Sequence, residues 1–253
     1  MTALDPKFFQ ETKLICTDMD GTVTVCGQFT PKLLFTFNRL QSNNITVVIA
    51  TGRSAGWCAG LALYLPGIYG VIAENGGLFY KAQQEEAPHF FHAQETRQEL
   101  ETAFKALQKD FPDLKPSSDN AFRHTDWTFD KGHLTVVELA QMKQQVQDYG
   151  LDLIYSSVQV HIKAPEQSKG HALQQLLKQE FPELTLAQVV TVGDSPNDQS
   201  LFEAHFPQSV AVANIHEYWD QLDVYPNYRA TQQEGHGFIE LTECILKTKF
   251  EVD

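Results

Sequence analysis

Asp18-Met19-Asp20-Gly21-Thr22 follows the short apolar run Leu14-Ile15-Cys16 and sets two carboxylates one residue apart at the end of a strand. Alternation along an extended backbone aims Asp18 and Asp20 to the same side, and Gly21 permits a sharp turn that points backbone N–H groups at an anion. Such an arrangement handles phosphate around a metal, one carboxylate attacking while the other moves protons. Alone it also suits a solvated acidic turn. Its meaning depends on what the rest of the chain brings to the same place.

Three further runs bring reactive groups there. Asn44-Ile45-Thr46-Val47-Val48-Ile49-Ala50-Thr51-Gly52-Arg53 is a β-branched stretch of the kind buried in a parallel sheet, and it ends in a hydroxyl, a glycine and a cation. Ser168-Lys169-Gly170 opens a helical pattern (Ala172, Leu173, Leu176, Leu177) with Ser168 as N-cap and Lys169 at the positive end. Val189-Val190-Thr191-Val192-Gly193-Asp194-Ser195-Pro196-Asn197-Asp198 is a second buried strand, running into a carboxylate-rich turn and a helix with Pro196 near its start. Asp194 and Asp198 are thereby offered to a common point.

With Asp18-x-Asp20-Gly21-Thr22, Thr51, Lys169 and Gly193-Asp194-x-x-Asn197-Asp198 in this order, the chain resembles the haloacid dehalogenase superfamily of aspartate-nucleophile phosphohydrolases. Roughly 120 residues separate Thr51 from Lys169, which resembles the branch with a large C2-type cap inserted there, subfamily IIB. Ala73-Glu74-Asn75-Gly76-Gly77 is similar to the segment that precedes the cap. The resemblance implies a Rossmann-like parallel-sheet core, residues 1–80 and 166–253, and an inserted α+β cap, residues 81–165. It implies Asp18 as nucleophile forming an aspartyl-phosphate and Asp20 as acid and base. Thr51, Gly52, Lys169 and Asn197 would bind phosphate, and Mg²⁺ would be held by Asp18, the Asp20 backbone carbonyl and Asp194. Asp198 would orient Lys169 or support the metal. Similarity to sucrose-phosphate and mannosyl-phosphoglycerate phosphatases implies a small phosphorylated substrate, a phosphosugar. A phosphosugar mutase and a catalytically silent binding protein on the same fold stay open.

Composition limits the partners. A chain of 253 residues can bury an α/β core plus a smaller domain. The net charge of −13 opposes nucleic-acid binding through a general basic surface, and any phosphate must be captured locally. Cys16, Cys26, Cys58 and Cys244 show no close pair or metal-ligand spacing and read as reduced thiols. Met1 to Glu11 lacks a basic-then-apolar pattern, and Leu61 to Ala73 is too short and too interrupted to span a membrane. The expectation is a cytoplasmic protein without membrane attachment.

Strands are expected at 13–17, 45–50, 69–73, 189–193 and 209–213, alternating with helices near 31–42, 54–64, 168–180 and 197–204, and a last helix from Phe238 to about Lys247. Active sites of such sheets lie at the C-terminal strand ends, where Asp18, Thr51 and Asp194 fall. In the cap, helical stripes (Leu100, Phe104, Leu107, Phe111; Val136, Leu139, Met142, Val146, Tyr149) accompany alternating segments at Asp126–Asp130 and Val158–Lys163. Trp127, Phe129, Val158, Val160 and Ile162 should face the helices, leaving an open polar face with His161 and Lys163 toward the catalytic edge. His161, Lys163 and Arg123 are the candidate cap contacts to substrate, against the alternative that they are solvated strand residues. His205, His216 and His236 have no zinc-like spacing. Glu74 and Asn75 are divided between closing the site and pinning the cap hinge.

Overall fold

The computed structural model describes residues 1–91, 97–156 and 158–250. Residues 251–253 of the expected core and 92–96 and 157 of the expected cap lie outside them. Among the described residues twelve strands run β1 (Thr2–Ala3), β2 (Leu14–Thr17), β3 (Thr46–Ala50), β4 (Gly70–Ala73), β5 (Leu78–Lys81), β6 (His89–Phe90), β7 (Asp126–Asp130), β8 (Asp152–Tyr155), β9 (Gln159–Lys163), β10 (Val189–Gly193), β11 (Gln208–Ala211) and β12 (Tyr228–Arg229). The helices are α1 (Pro31–Ser42), α2 (Ala55–Tyr64), α3 (Arg97–Asp110), α4 (Val136–Gln147), α5 (Lys169–Glu180) and α6 (Glu234–Phe250).

The core sheet has the order β1-β12-β11-β10-β2-β3-β4-β5-β6, parallel as far as β4 and antiparallel through β5 and β6. Alternation along its strands feeds two hydrophobic layers. Ile15, Val47, Ile49 and Val71 point to α1, α2 and α6, whereas Leu14, Cys16, Val48 and Ile72 point to α5. Both faces are covered, so the strands are apolar throughout. The α1 start is set by Thr30, whose hydroxyl accepts from Leu33 N–H at 3.1 Å, with Pro31 at the first position. Because β6 pairs with β5, the core sheet extends beyond the boundary expected at residue 80.

A second sheet, β7-β9-β8, is antiparallel and packs Phe129, Val160 and Ile162 against Leu100, Phe104, Leu139 and Met142 of α3 and α4. This α+β unit matches the expected cap, with corrections. The β8 strand had no alternating signal and was not expected. Val136, the first residue of α4, and Tyr149, beyond its end, are exposed. Where a helix was expected over 197–204, residues Pro196–Leu201 form a 3₁₀ turn, because the Asp198 carboxylate bends back to the Asp194 and Ser195 amides at 2.9 and 3.2 Å. α6 is longer than expected, running Glu234–Phe250.

The largest correction concerns the polar cap face, expected to be open. Asp126, Thr128, His161 and Lys163 are all buried, because this face is seated on the core. Glu74 makes the seat. Its carboxylate accepts from the core Ala55 N–H at 2.8 Å and from the cap His124 N–H at 3.1 Å, Thr125 N–H at 2.6 Å and Thr125 hydroxyl at 2.7 Å. Gln167, on the return connection, donates to the Glu74 carbonyl at 2.5 Å. Glu74 and Asn75 both adopt left-handed backbone (φ 52° and 53°), a strained turn held by these bonds. Burial, then the nearby Asp126, pushes the Glu74 carboxyl up to about 7 against its four donors.

Glu74→Gln should therefore lower the melting temperature by about 2–4 °C per kcal/mol lost, with about 1–3 kcal/mol for each donor left unpaired. Amide hydrogen exchange should rise at residues 123–126 and stay slow in β2, β3 and β10. Uniform acceleration across both sheets would show that Glu74 supports the core and not the cap seat.

Candidate active site

Asp18, Thr51, Glu74 and Asp194 each follow the last residue of a core strand, so the sheet alone gathers them along one edge. Asp18 continues β2, the strand between β10 and β3, and its N–H donates to the Val192 carbonyl at 2.9 Å. Lys169 is the first residue of α5, whose N-cap Ser168 accepts from His171 N–H at 3.2 Å. Its fully buried ammonium donates to Asp18 Oδ1 at 2.5 Å and to Asp198 Oδ1 at 2.7 Å. Burial works against the Lys169 charge, but the two carboxylates outweigh it and hold the amine above the ordinary lysine range. Lys169 is a fixed cation beside Asp18.

Asp198 is committed on both oxygens, to Lys169 and to the two loop amides. Asp194 accepts from the Thr22 hydroxyl at 2.9 Å and from Asn214 Nδ2 at 2.9 Å. Gly21 lies against it with φ 82°, and a Cβ there would stand 2.7 Å from Asp194 Oδ2, so the turn needs glycine. Carboxylate oxygens of Asp18, Asp194 and Asp198 lie within 4.8 Å of one another. Burial raises the Asp18 carboxyl to about 7, Lys169 partly offsetting it, and burial with Asp18 and Asp198 raises Asp194 well above the usual range. This donor set is buried, all oxygen and carries more negative than positive charge. It fits a hard divalent cation, which would offset that push. Asp198 is spent on Lys169 and two amides, whereas Asp194 meets only the neutral donors of Thr22 and Asn214, so Asp18 and Asp194 are the carboxylates to hold it.

The expected phosphate-binding group is assembled at the same edge. Thr51, Gly52 and Asn197 line a cavity of about 330 Å³, including its mouth, together with Asp18, Asp20, Arg53, Ser156, Val158, Gln159, His161 and Ser195. Asn197 donates to Asn75 Oδ1 at 3.0 Å and accepts from the Ser195 hydroxyl at 2.7 Å. The Asp20 carboxylate is gripped by the Arg53 guanidinium, Nε at 2.9 Å and Nη2 at 2.7 Å.

The three cap candidates separate. His161 lines the cavity. Arg123 stands behind it, buried, donating to the Gly52 carbonyl at 3.0 Å, to both Asp126 oxygens at 3.0 Å, to Asp119 at 2.8 Å and to Gln159 at 3.0 Å. Lys163 does not line the cavity. It is buried at the far end of the strand, donating to Asp152 at 3.3 Å and to the Ala164 carbonyl at 3.1 Å. Sequence reasoning missed Asn214 and the Arg53–Asp20 pair. Asn214 carries no motif, and its one signal was its position just after a parallel strand, where ligands gather.

A model of the family described as sucrose-6F-phosphate phosphohydrolase matches residues 11–243. The chain belongs to this family of haloacid dehalogenase phosphatases. Phosphoglycolate phosphatase 1 of Saccharolobus solfataricus is 28% identical over 243 residues, 94% of this chain and 98% of that one. The phosphoglycolate phosphatase of Methanosarcina mazei is 30% identical over 234 residues, 92% of this chain and 96% of that one. The sucrose-phosphatase of Synechocystis sp. PCC6803, solved with sucrose and phosphate, superposes with a TM-score of 0.69 at 21% identity, covering 95% of this chain and 99% of that one. This phosphatase thus keeps the family's α/β core and small cap sheet. No described helix is long and apolar enough to cross a membrane.

Asp198→Ala should strip Lys169 of one partner and leave two buried amides without an acceptor, costing about 3–5 kcal/mol in denaturant unfolding. Asp198→Asn should cost less stability and still lose at least about tenfold in turnover, since its NH₂ must face either Lys169 or those amides. Equal loss in both variants, in stability and rate alike, would remove Lys169 orientation as the role of Asp198.

Proposed function

We propose that this phosphatase hydrolyses a small phosphomonoester, a phosphosugar, through an aspartyl-phosphate on Asp18, with Mg²⁺ as its divalent cation. The observation that carries this proposal is the buried Lys169 locked between Asp18 and Asp198 beside Asp194. Phosphoryl transfer needs an in-line nucleophile, neutralised equatorial oxygens and a proton for the leaving oxygen. Asp18 Oδ2, turned from Lys169, supplies the attacking atom, and Lys169, the Thr51 hydroxyl, Asn197 and the Gly52 backbone receive the phosphoryl oxygens. Asp18, Asp194 and the Asp20 carbonyl would hold Mg²⁺, which would supply charge neutralisation and favour the ionised form of Asp18. Asp20 protonates the leaving oxygen and then takes a proton from the hydrolytic water. For that, its carboxylate must leave the grip of Arg53.

The phosphatase names of the relatives favour water over a second sugar as the phosphoryl acceptor, so the mutase is set aside. A second substrate reading, phosphoglycolate, is favoured by Arg53. Among the described residues lining the cavity it is the one cation, and its fork could turn from Asp20 to a substrate carboxylate.

Asp18→Asn should abolish turnover and any acid-quenched phosphoenzyme, because an amide is a poor nucleophile. Substantial activity in a folded Asp18→Asn protein would reject the covalent route. Asp20→Asn should slow turnover by at least about a hundredfold, the scale of general acid–base catalysis, with affinity retained. Chelation should stop the wild-type enzyme and Mg²⁺ restore it, while full activity in verified metal-free protein would remove Asp194 from its assignment.

A further inference from the structure

The cap side of the cavity presents Ser156, Val158, Gln159 and His161, none of them a charged anchor for an anion. His161 lies on β9 opposite Thr128, with its Nδ1 2.8 Å from Asp126 Oδ2. Asp126 is fully buried, and burial alone would keep it protonated. The Arg123 guanidinium and the His161 bond together outweigh burial and hold the carboxyl below its ordinary range. An ionised carboxylate only accepts hydrogen bonds, so the proton between the pair sits on Nδ1. Burial lowers the imidazole below its ordinary pKa, with Asp126 only partly opposing, so the ring is neutral near pH 7. Its Nε2 then carries a lone pair. That atom has no hydrogen-bond partner among the described residues, and it stands beside Gly52, where a Cβ would come within 3.1 Å of it.

We propose that His161 selects the leaving group as a hydrogen-bond acceptor, its Nε2 taking a hydroxyl proton, so that the site favours phosphomonoesters of uncharged polyols and sugars over those of carboxylic acids. This deepens the phosphatase assignment and rests on it. A carboxylate in the same place would meet a lone pair, which costs the desolvation of an unpaired anion. Asp126 and Arg123 are positioning residues. Asp126 fixes the tautomer, as a buried carboxylate does behind a catalytic histidine, and Arg123 ties the pair to the phosphate loop through the Gly52 carbonyl. Gln159, which donates to the Ser117 hydroxyl at 3.0 Å and accepts from Arg123, belongs to the same fixed wall.

The test is a change of hydrogen-bond polarity without loss of the ring. In Asp126→Asn the side-chain oxygen stays with Arg123 and the NH₂ faces Nδ1, which moves the ring proton to Nε2 and turns the acceptor into a donor. Catalytic efficiencies are measured with Mg²⁺ for glycerol 3-phosphate, glucose 6-phosphate and phosphoglycolate, with p-nitrophenyl phosphate as the reference for phosphoryl transfer. The wild type should prefer at least one hydroxylated ester to phosphoglycolate, and that ratio should fall by about tenfold or more in Asp126→Asn, the scale of one reversed hydrogen bond. His161→Phe should also lower the ratio. A wild type that prefers phosphoglycolate to both esters, or an Asp126→Asn protein with an unchanged ratio, would overturn the proposal. Because Asp126→Asn could fail to fold, the imidazole ¹⁵N spectrum of the wild-type protein is a second measurement. It must show His161 as the Nδ1–H tautomer, and an Nε2–H tautomer or an imidazolium at pH 7 would overturn the proposal equally. Absence of p-nitrophenyl phosphate turnover would instead strike the phosphatase assignment, and the tautomer would still be read.

Discussion

The buried ammonium of Lys169, shared between Asp18 and Asp198, is the constraint from which the catalytic edge is built. A lone buried ammonium would cost several kcal/mol, and the penalty is met only when both partners are held in place. Each is held by a different element. Asp18 is fixed by the β2 strand end and its bond to Val192, and Asp198 by two loop amides after β10. Lys169 itself is fixed as the first residue of α5. Three elements distant in sequence must therefore dock before the charge is satisfied, which couples completion of the core to completion of the site. The same arrangement leaves the Asp194 and Asp18 carboxylates to hold a hard cation.

The cap adds a second level of order on the same edge. Glu74 and Asn75, adjacent residues of one strained turn, serve different partners: the Glu74 carboxylate seats residues 124–125 of the cap, and the Asn75 amide holds Asn197, proposed to bind phosphate. A shift of the cap at Thr125 thus acts on the turn that positions Asn197. Arg123 makes a parallel connection, from the Gly52 carbonyl to Asp126 and so to His161. A Cβ at position 52 would press on Asn75 Nδ2 and the His161 ring, at 3.0 Å each, so the two would have to give way. Cap and core meet at this one glycine.

Much of the core was legible in the sequence because its determinants are local. Strand ends followed at once by Asp18, Thr51 and Asp194, and helix starts marked by Thr30-Pro31 and Ser168, need only neighbouring residues to be recognised. The cap strands β7 and β9 were legible by alternation. What alternation could not reveal was the fate of the polar face, since a row of Asp126, Thr128, His161 and Lys163 has the same pattern whether solvated or seated on a partner. Burial of that row depends on Glu74, which is 52 positions from Asp126. Arg53 gripping Asp20 and Asn214 holding Asp194 were hidden for the same reason, being pairings between loops with no periodicity to connect them.

The two cations of the site have opposite relations to solvent, and that contrast orders the chemistry. Lys169 is fully buried and fixed between carboxylates, suited to a role that does not change through the cycle. Arg53 is about a third exposed, and its guanidinium also lies 5.6 Å from the Trp57 ring, which offers it a second resting place. Its bond to Asp20 is partly solvated and so less costly to exchange than the Lys169 pairs. Asp18, the proposed nucleophile, is therefore held permanently, whereas Asp20, the proposed proton-transfer group, is held by a partner that can give way. A substrate group that draws Arg53 aside would free Asp20 only when the cavity is filled, so that the acid becomes available where a leaving oxygen is present to receive its proton.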